Sequence, residues 1–258
     1  MNKYFLFFLL SMATTVSYGQ KLKAVYEYIL SPMATYREEV YFKDGVKTSV
    51  RDSIPQSKAN SGSEDDGEMS GSMSVMINAG KTYRNIIIQK SNSPQLIETG
   101  SLNGSNYLVH DDFPPLVWNT SYSDVDTLGK HICHKATAAY RGTTIVAYYT
   151  NDIPLPAGPY KFGGLPGLIV MLYNEGANPH YWLLKEIQYP FAGDIPVNEQ
   201  YINALPKLSL ENYVKKTDQK NEEQMRVMMS KMPLVEGVTV ERKKIRGSVE
   251  QVYEWEKH

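Results

Sequence analysis

Short stretches of alternating hydrophobic and polar residues recur along most of the chain, separated by clusters of glycine, proline, asparagine and serine. This spacing is typical of an antiparallel sheet. No internal repeat of fixed period is visible, which argues against a propeller or a solenoid. We predict strands at 22–30, 38–42, 46–50, 74–77, 82–90, 95–99, 132–140, 143–149, 168–173, 181–188, 239–243 and 248–256.

Two tight turns are predicted between neighbouring strands. Lys43, Asp44 and Gly45 separate the strands at 38–42 and 46–50, and this combination of residues favours a hairpin. The second turn is Tyr140-Arg141-Gly142-Thr143, where Gly142 supplies the positive φ that such a tip requires.

The pattern changes to a helical period after about residue 207. We predict one helix at 208–216, capped by Ser209, and another at 218–232, capped by Asp218 and ended by Pro233. The fold class is therefore mainly β (α+β), a single antiparallel curved sheet or half-barrel with one or two C-terminal helices.

The first twenty residues have the pattern of an exported protein. Lys3 precedes an apolar run at 4–10, and small residues follow at Ser17 and Gly19, as in a secretory signal peptide. We expect a signal peptide at 1–19 and one domain at 20–258. Residues 57–74 are rich in serine, glycine and acids, so we predict a mobile loop there.

Charge and cysteine content narrow the function classes. The 258 residues carry a formal net charge of −1, so no overall field favours nucleic acid. A single cysteine excludes an intramolecular disulfide. No stretch is long and apolar enough for a transmembrane segment.

The most distinctive segment is 152–173, with four prolines and four glycines directly before an apolar strand. Within it, Leu165-Pro166-Gly167-Leu168 has the pattern of a type II turn. Pro166 would fix φ near −65° and Gly167 would take the positive φ that follows.

Residues 164–169 read GLPGLI, and the chain resembles the GLPGLI family, which takes its name from this segment. The resemblance covers about 118–187. It implies an exported protein of Bacteroidota, associated with the cell envelope and without an established catalytic activity. The motif residues that carry the resemblance are Cys133, Lys135, Ala136, Arg141, Gly142, Gly158, Pro159, Gly164, Leu165, Pro166, Gly167, Leu168 and Ile169.

Two groups of residues are candidate metal ligands. His131, Cys133 and His134 combine imidazole and thiol groups that suit zinc or copper, although His134 points to the opposite face of the predicted strand. The alternative is a buried structural cysteine with surface histidines. On the predicted second helix, methionines that suit Cu(I), or that form an amphipathic face for packing or partner binding, are Met225, Met228, Met229 and Met232. We expect no cofactor, and copper or zinc is the alternative.

No catalytic residue is predicted, because neither G-x-S-x-G nor H-E-x-x-H occurs. Adjacent Asp111 and Asp112 are interpreted as acids that solvate a loop. We expect the protein not to be an enzyme but an exported binding or carrier-like protein for an apolar or peptide ligand, in the periplasm, at the cell surface or secreted. The alternatives are an accessory protein that docks an envelope partner and a copper- or zinc-handling protein.

Overall fold

The computed structural model describes residues 21–31, 34–52, 84–91, 93–176, 178–230 and 246–256. Within these ranges the chain forms one open, curved sheet of twelve strands. The strands are β1 (Leu22–Ser31), β2 (Ala34–Lys43), β3 (Val46–Arg51), β4 (Asn85–Lys90), β5 (Gln95–Leu102), β6 (Ser105–Asp112), β7 (Val125–Leu128), β8 (His131–Tyr140), β9 (Thr143–Thr150), β10 (Leu168–Asn174), β11 (Tyr181–Gln188) and β12 (Lys207–Ser209).

The sheet consists of two meanders joined at its centre. The order is β12-β6-β5-β4-β3-β2-β1-β11-β10-β9-β8-β7, so consecutive strands are neighbours within β1–β6 and within β7–β11. Only the β1–β11 pair links the two meanders, and it is antiparallel. The short β12 adds in parallel to β6. The predicted mainly β fold with a curved antiparallel sheet is confirmed.

Two-residue turns with positive φ set the register of the hairpins. Asp44 (φ 49°) and Gly45 (φ 73°) join β2 to β3, and Arg141 (φ 39°) and Gly142 (φ 81°) join β8 to β9, so both predicted turns are confirmed. A third turn of this kind, Asn103-Gly104, joins β5 to β6. Asn-Gly between alternating segments is a strong hairpin signal, and it marks β6, which the pattern analysis missed.

The helices differ from the prediction. Helix α1 covers Glu199–Asn203, and helix α2 runs unbroken over Leu210–Ser230. The Ser209 cap is confirmed, since its hydroxyl accepts a hydrogen bond from the Asn212 N–H. The second cap at Asp218 is wrong, because Asp218 lies inside α2 and its carboxylate pairs with Arg246 at 2.8 Å. Neither described helix is long and apolar enough to cross a membrane.

The C-terminal segment 246–256 is irregular and ends in a 3-10 turn at Glu254–Glu256, so the predicted strand at 248–256 is wrong. Two hydrogen bonds to the β8–β9 turn hold its backbone in place of strand pairing: the N–H groups of Gln251 and Val252 both donate to the carbonyl of Arg141 at 2.9 Å. The signal peptide at 1–19, the loop at 57–74 and the strands at 74–77 and 239–243 fall outside the described residues.

The main core lies between one face of the sheet and residues 151–167. We call these the inner face and the plug loop. Buried side chains of the sheet such as Tyr26, Val40 and Trp182 pack against Leu155 and Phe162 of the plug loop. The start of α2 is anchored by a smaller apolar cluster, which consists of Val109, Leu210, Val214 and Tyr253. The C-terminal half of α2, residues 221–230, is exposed.

Candidate functional site

Charged and polar side chains occupy consecutive strands of the inner face. Strand register aligns Glu38 with Arg51 and Ser49 with Ile87 and Glu98. Side chains two residues apart on a strand share a face. The inner face therefore carries a set of ionisable groups beneath the plug loop: Glu38, Lys47, Arg51, Glu98 and Asp111.

The plug loop is a folded unit held by its own backbone. Gly164 donates to the Pro156 carbonyl at 3.1 Å, and Leu168 and Ile169 donate to Ile153 and Ala157, both at 3.0 Å. These bonds fix the position of the side chains that the loop extends toward the sheet. The proline- and glycine-rich segment is therefore a rigid part of the site.

The predicted positive φ at Gly167 is wrong, because the positive φ values in this segment lie at Tyr160 (φ 53°) and Gly164 (φ 84°). Gly167 is required for a different reason. A Cβ at this position would lie 1.9 Å from the carbonyl oxygen of Thr150, which is far inside van der Waals contact. Gly167 thus permits the plug loop to cross the end of β9 at close range.

Lys161, from the plug loop, is at the centre of a buried ion cluster. Its ammonium lies 2.9 Å from Glu98, 2.9 Å from Asp111 and 3.1 Å from Glu250. The Lys161 side chain is fully buried. Three carboxylates around one buried cation leave a negative excess that a second cation must offset.

Arg141 is that second cation. It binds Asp111 through two nitrogens at 2.6 and 2.9 Å and Glu250 at 2.5 Å. Its side chain is also fully buried, and its place at the β8–β9 tip directs it into the cluster. Arg141, a motif residue of the resemblance, therefore joins the hairpin to β6 and the C-terminal segment.

Charge in the cluster shifts the pKa values of its members in different directions. Burial favours the neutral form of Glu250, but Lys161 and Arg141 outweigh it and lower the pKa of Glu250 to about 2. At Glu98, burial together with Glu250 and Asp111 outweighs Lys161 and raises the pKa. Of Glu98 and Glu250, Glu98 therefore takes up a proton more readily.

The interpretation of Asp111 as a loop acid is wrong. Asp111 lies on β6, is 1% exposed and pairs with Arg141 and Lys161. Asp112, the next residue, points outward and is exposed. Sequence reasoning also missed Glu98, Lys161 and Glu250.

A cavity of about 1340 Å³ lies beside the ion cluster, between the inner face and α2. Glu98, Glu250 and Tyr253 line one part of it, and Met225 and Met229 of α2 line another. The cavity wall formed by β1 to β3 carries Tyr28, Tyr36 and Arg51. The ion cluster thus borders a space large enough for a ligand.

Arg51 is a cation of this wall with no carboxylate within ion-pair distance among the described residues, although the negative charge of Glu38, opposite it in the strand register, acts on it. Its guanidinium lies 4.8 Å from the ring centre of Tyr28 and 5.8 Å from that of Tyr160. Within the part of the chain that the structure describes, it makes no hydrogen bond or ion pair. Stacking on tyrosines leaves the edge of a guanidinium, with its N–H donors, available to an anion.

His180 packs behind Tyr28, where its Nδ1 lies 2.6 Å from the Tyr28 hydroxyl and its Nε2 is buried without a hydrogen-bond partner among the residues that the structure describes. Burial, with a contribution from Arg51, lowers the pKa of His180 to about 4. Between pH 6.5 and 4 the unfolded chain then binds more protons than the folded chain, so stability falls as the pH falls through this window.

We expect His180→Phe to reduce this acid sensitivity in urea unfolding at pH 7 and pH 4.5. The same replacement at His134 is the control, and an equal slope in both variants would contradict the assignment.

The candidate metal ligands of β8 each contact a different neighbour. The thiol of Cys133 is buried and donates to the His131 carbonyl at 3.6 Å, and burial raises its pKa to about 11. His131 lies 3.2 Å from Asp152, while His134 packs against the ring of Tyr149. In the described ranges, no group of three or more His, Cys, Asp or Glu residues is arranged to hold a metal ion.

The methionine face of α2 is exposed instead of packed in the core. Met225, Met228 and Met229 are 55%, 46% and 37% exposed, and Met232 lies outside the described residues. Two of the three line the cavity. The face is therefore available for contact with a ligand or partner.

The other motif residues have structural positions. Lys135 lies over the ring of Tyr122, and the Pro159 carbonyl accepts the Phe162 N–H at 3.0 Å. A Cβ on Gly158 would lie 2.5 Å from Ile169, and one on Gly142 would meet Val252. Core side chains among them are Ala136, Leu165, Leu168 and Ile169, and Pro166 is exposed.

A family model described as a protein of unknown function, Porph_ging, matches residues 134–171. This range covers most of β8, all of β9, the plug loop and the start of β10. It therefore includes Arg141 and Lys161, the two cations of the ion cluster. No curated protein matches the chain.

Two solved structures are similar to the chain, both described as PNGF-II. The structure in the C2 space group is 11% identical with a TM-score of 0.47, and the one in P21 is 12% identical with a TM-score of 0.48. Each comparison covers 76% of this chain but 32% and 33% of the respective structures. The chain thus spans about a third of their length.

Proposed function

We propose that the chain is an exported binding protein of the GLPGLI type that holds a short peptide in the cavity between the inner face and α2. The peptide's carboxylate pairs with Arg51. The observation that carries this proposal is a guanidinium stacked on Tyr28 and Tyr160 without an acidic partner among the described residues. A bidentate carboxylate satisfies its free edge.

The size and lining of the cavity support a peptide. At about 1340 Å³, it exceeds the range of roughly 300–1,000 Å³ that is usual for small-molecule sites. Its lining mixes tyrosines and methionines with Asn85, Thr99 and Ser101. Tyrosines supply rigid contact area and short polar side chains supply hydrogen bonds, a combination suited to peptides. The N-terminal leader pattern supports export.

Arg51→Gln is expected to weaken peptide binding by roughly 10- to 100-fold, because a hydrogen-bonded charge pair contributes about 1.5–3 kcal/mol. The probe is a library of acetylated tetrapeptides with free C-termini, screened by native mass spectrometry and then titrated by calorimetry. The same peptides with amidated C-termini should lose as much affinity on the wild-type protein.

Arg226→Gln is the matched control. Arg226 also lines the cavity, but it pairs with Glu223 on α2, so its loss should leave the affinity within about threefold. Equal binding of acids and amides would contradict the proposal, as would equal losses in the two arginine variants. Binding of decanoate instead of any peptide would assign the cavity to lipids.

The exposed apolar face of α2 supports a second candidate function, docking of an envelope partner. Met225, Met228 and Met229 lie on one side of the helix at positions i, i+3 and i+4, and each is at least 37% exposed. Such a face suits a hydrophobic groove on another protein. Loss of a purified hetero-complex in Met228→Glu, with peptide binding retained, would support it, and an unchanged complex would oppose it. Metal binding through His131, Cys133 and the methionines stays a prediction.

A further inference from the structure

A second, smaller cavity lies on the other side of Lys161, where the plug loop meets β3 and β4. Its volume is about 510 Å³. Apolar side chains make up much of its lining, including Phe42, Phe113, Leu116 and Pro156. The lysines Lys47 and Lys161 also line it. Buried lysines therefore line a largely apolar space outside the proposed peptide site.

The two lysines have different surroundings. Lys161 has its three carboxylates, whereas Lys47 has none within ion-pair distance in the described part of the chain. Lys47 is 4% exposed, and its Nζ donates to the Phe162 carbonyl at 2.6 Å. An ammonium here would have one strong acceptor for three N–H groups, a poor environment for charge.

The titration of Lys47 agrees with this geometry. Burial disfavours the charged form, the negative charge of Glu38 offsets part of that effect, and the pKa of Lys47 falls to about 7. Near neutral pH a large fraction of the side chain is then the free amine. Lysines desolvated in apolar pockets act as nucleophiles in this form.

We propose that Lys47 is the nucleophile of a binding site for carbonyl compounds, where it forms a Schiff base with an aldehyde or ketone that has a small apolar body. The occupant fits against Phe42, Phe113 and Leu116. The site is separate from the peptide cavity and does not rest on the function proposed for that cavity.

The reaction balances without a further reagent. The Nζ lone pair attacks the carbonyl carbon and forms a C–N bond, while the C=O π electrons move to oxygen, which takes a proton from the nitrogen. The resulting carbinolamine then loses its hydroxyl and the remaining N–H hydrogen as water, and C=N forms. Nothing is oxidised or reduced. The Phe162 carbonyl accepts one N–H hydrogen and so orients the amine.

The test is reductive trapping on the folded full chain with isobutyraldehyde and sodium cyanoborohydride at pH 7, followed by peptide mapping. The reductant converts an imine to a stable secondary amine on the lysine that formed it. Lys47 should be labelled at least about 100-fold faster than exposed Lys185, because burial against the apolar cavity favours the free amine of Lys47. The labelling rate of Lys47 should rise between pH 6 and 8 and then level off.

Two controls separate the site from general reactivity. Leu116→Trp fills the cavity and keeps Lys47, so it should slow labelling at least tenfold in a protein whose circular dichroism is unchanged. In urea the advantage of Lys47 over Lys185 should vanish. Equal labelling of the two lysines in the folded wild type would overturn the proposal, and so would an unchanged rate in folded Leu116→Trp.

Discussion

Arg141→Met is expected to lower the free energy of unfolding by about 3–5 kcal/mol, the range observed when one partner of a buried ion pair is removed. The substitution leaves Asp111 and Glu250 with Lys161 as their remaining buried cation. Methionine fills much of the arginine stem's volume, so the loss reports on charge more than on packing. Urea unfolding monitored by tryptophan fluorescence measures it.

A second substitution distinguishes uncompensated charge from general disruption. Arg141→Met leaves the buried Glu250 carboxylate without enough positive charge around it. Adding Glu250→Gln removes that negative charge and should therefore restore part of the stability. Lys185→Met, at a surface pair with Glu27, should change stability by less than about 1 kcal/mol. A loss below 1 kcal/mol in Arg141→Met would refute a structural role for the cluster.

Gly167→Ala is expected to have a comparable effect, about 3 kcal/mol or more, or to prevent folding. The added methyl group would overlap the Thr150 carbonyl at 1.9 Å. The Thr150 oxygen is a backbone atom and the added Cβ is bonded directly to the Gly167 backbone, so neither can rotate away. Removing the overlap therefore requires the plug loop to move away from β9. Displacement would also shift Lys161 from its carboxylates, which couples this position to the ion cluster.

Gly164→Ala is the matched control, three residues earlier in the same loop. A Cβ at Gly164 meets nothing within 4 Å, but the φ of 84° is unfavourable for alanine, so the expected loss is about 1 kcal/mol. Unfolding of both variants in urea gives the comparison. Equal losses would contradict the proposal that close approach to Thr150 determines the need for glycine at position 167.

Local signals predicted the hairpins well. Asp44-Gly45 and Arg141-Gly142 are adjacent residues whose conformational preferences act within the turn itself. The same signal was present at Asn103-Gly104 and would have revealed β6. With β6 in place, Asp111 would have been assigned to a strand and its alternation with exposed Asp112 would have suggested a buried side chain.

The ion cluster lay beyond such reasoning because its members are distant in sequence. Glu98 and Lys161 are 63 residues apart, and Lys161 and Glu250 are 89 apart. Each is an ordinary charged residue in its own segment, and only tertiary folding buries it. Arg141 was singled out through the family resemblance, but its partners were not.

The sequence pattern identified Gly167 as a required glycine, but the structure gives a different physical reason for the requirement. The Pro-Gly pair suggested a turn with positive φ, yet proximity to Thr150 is what excludes a side chain. Sequence shows that glycine is needed and cannot show which neighbour approaches. Helix α2 gives a similar lesson, because Asp218 suits a cap locally but is used by Arg246 in tertiary contact.

The single junction between the two meanders affects how the chain reaches its native state during synthesis. Strands β1–β6 all precede residue 113, whereas β1 pairs on its other side, away from β2, with β11, Tyr181–Gln188. Until that segment emerges, β1 is an open edge rich in apolar residues, and such edges recruit other chains. We therefore expect a fragment ending at residue 115 to self-associate, and a shielding factor on the nascent chain to act before β11 arrives.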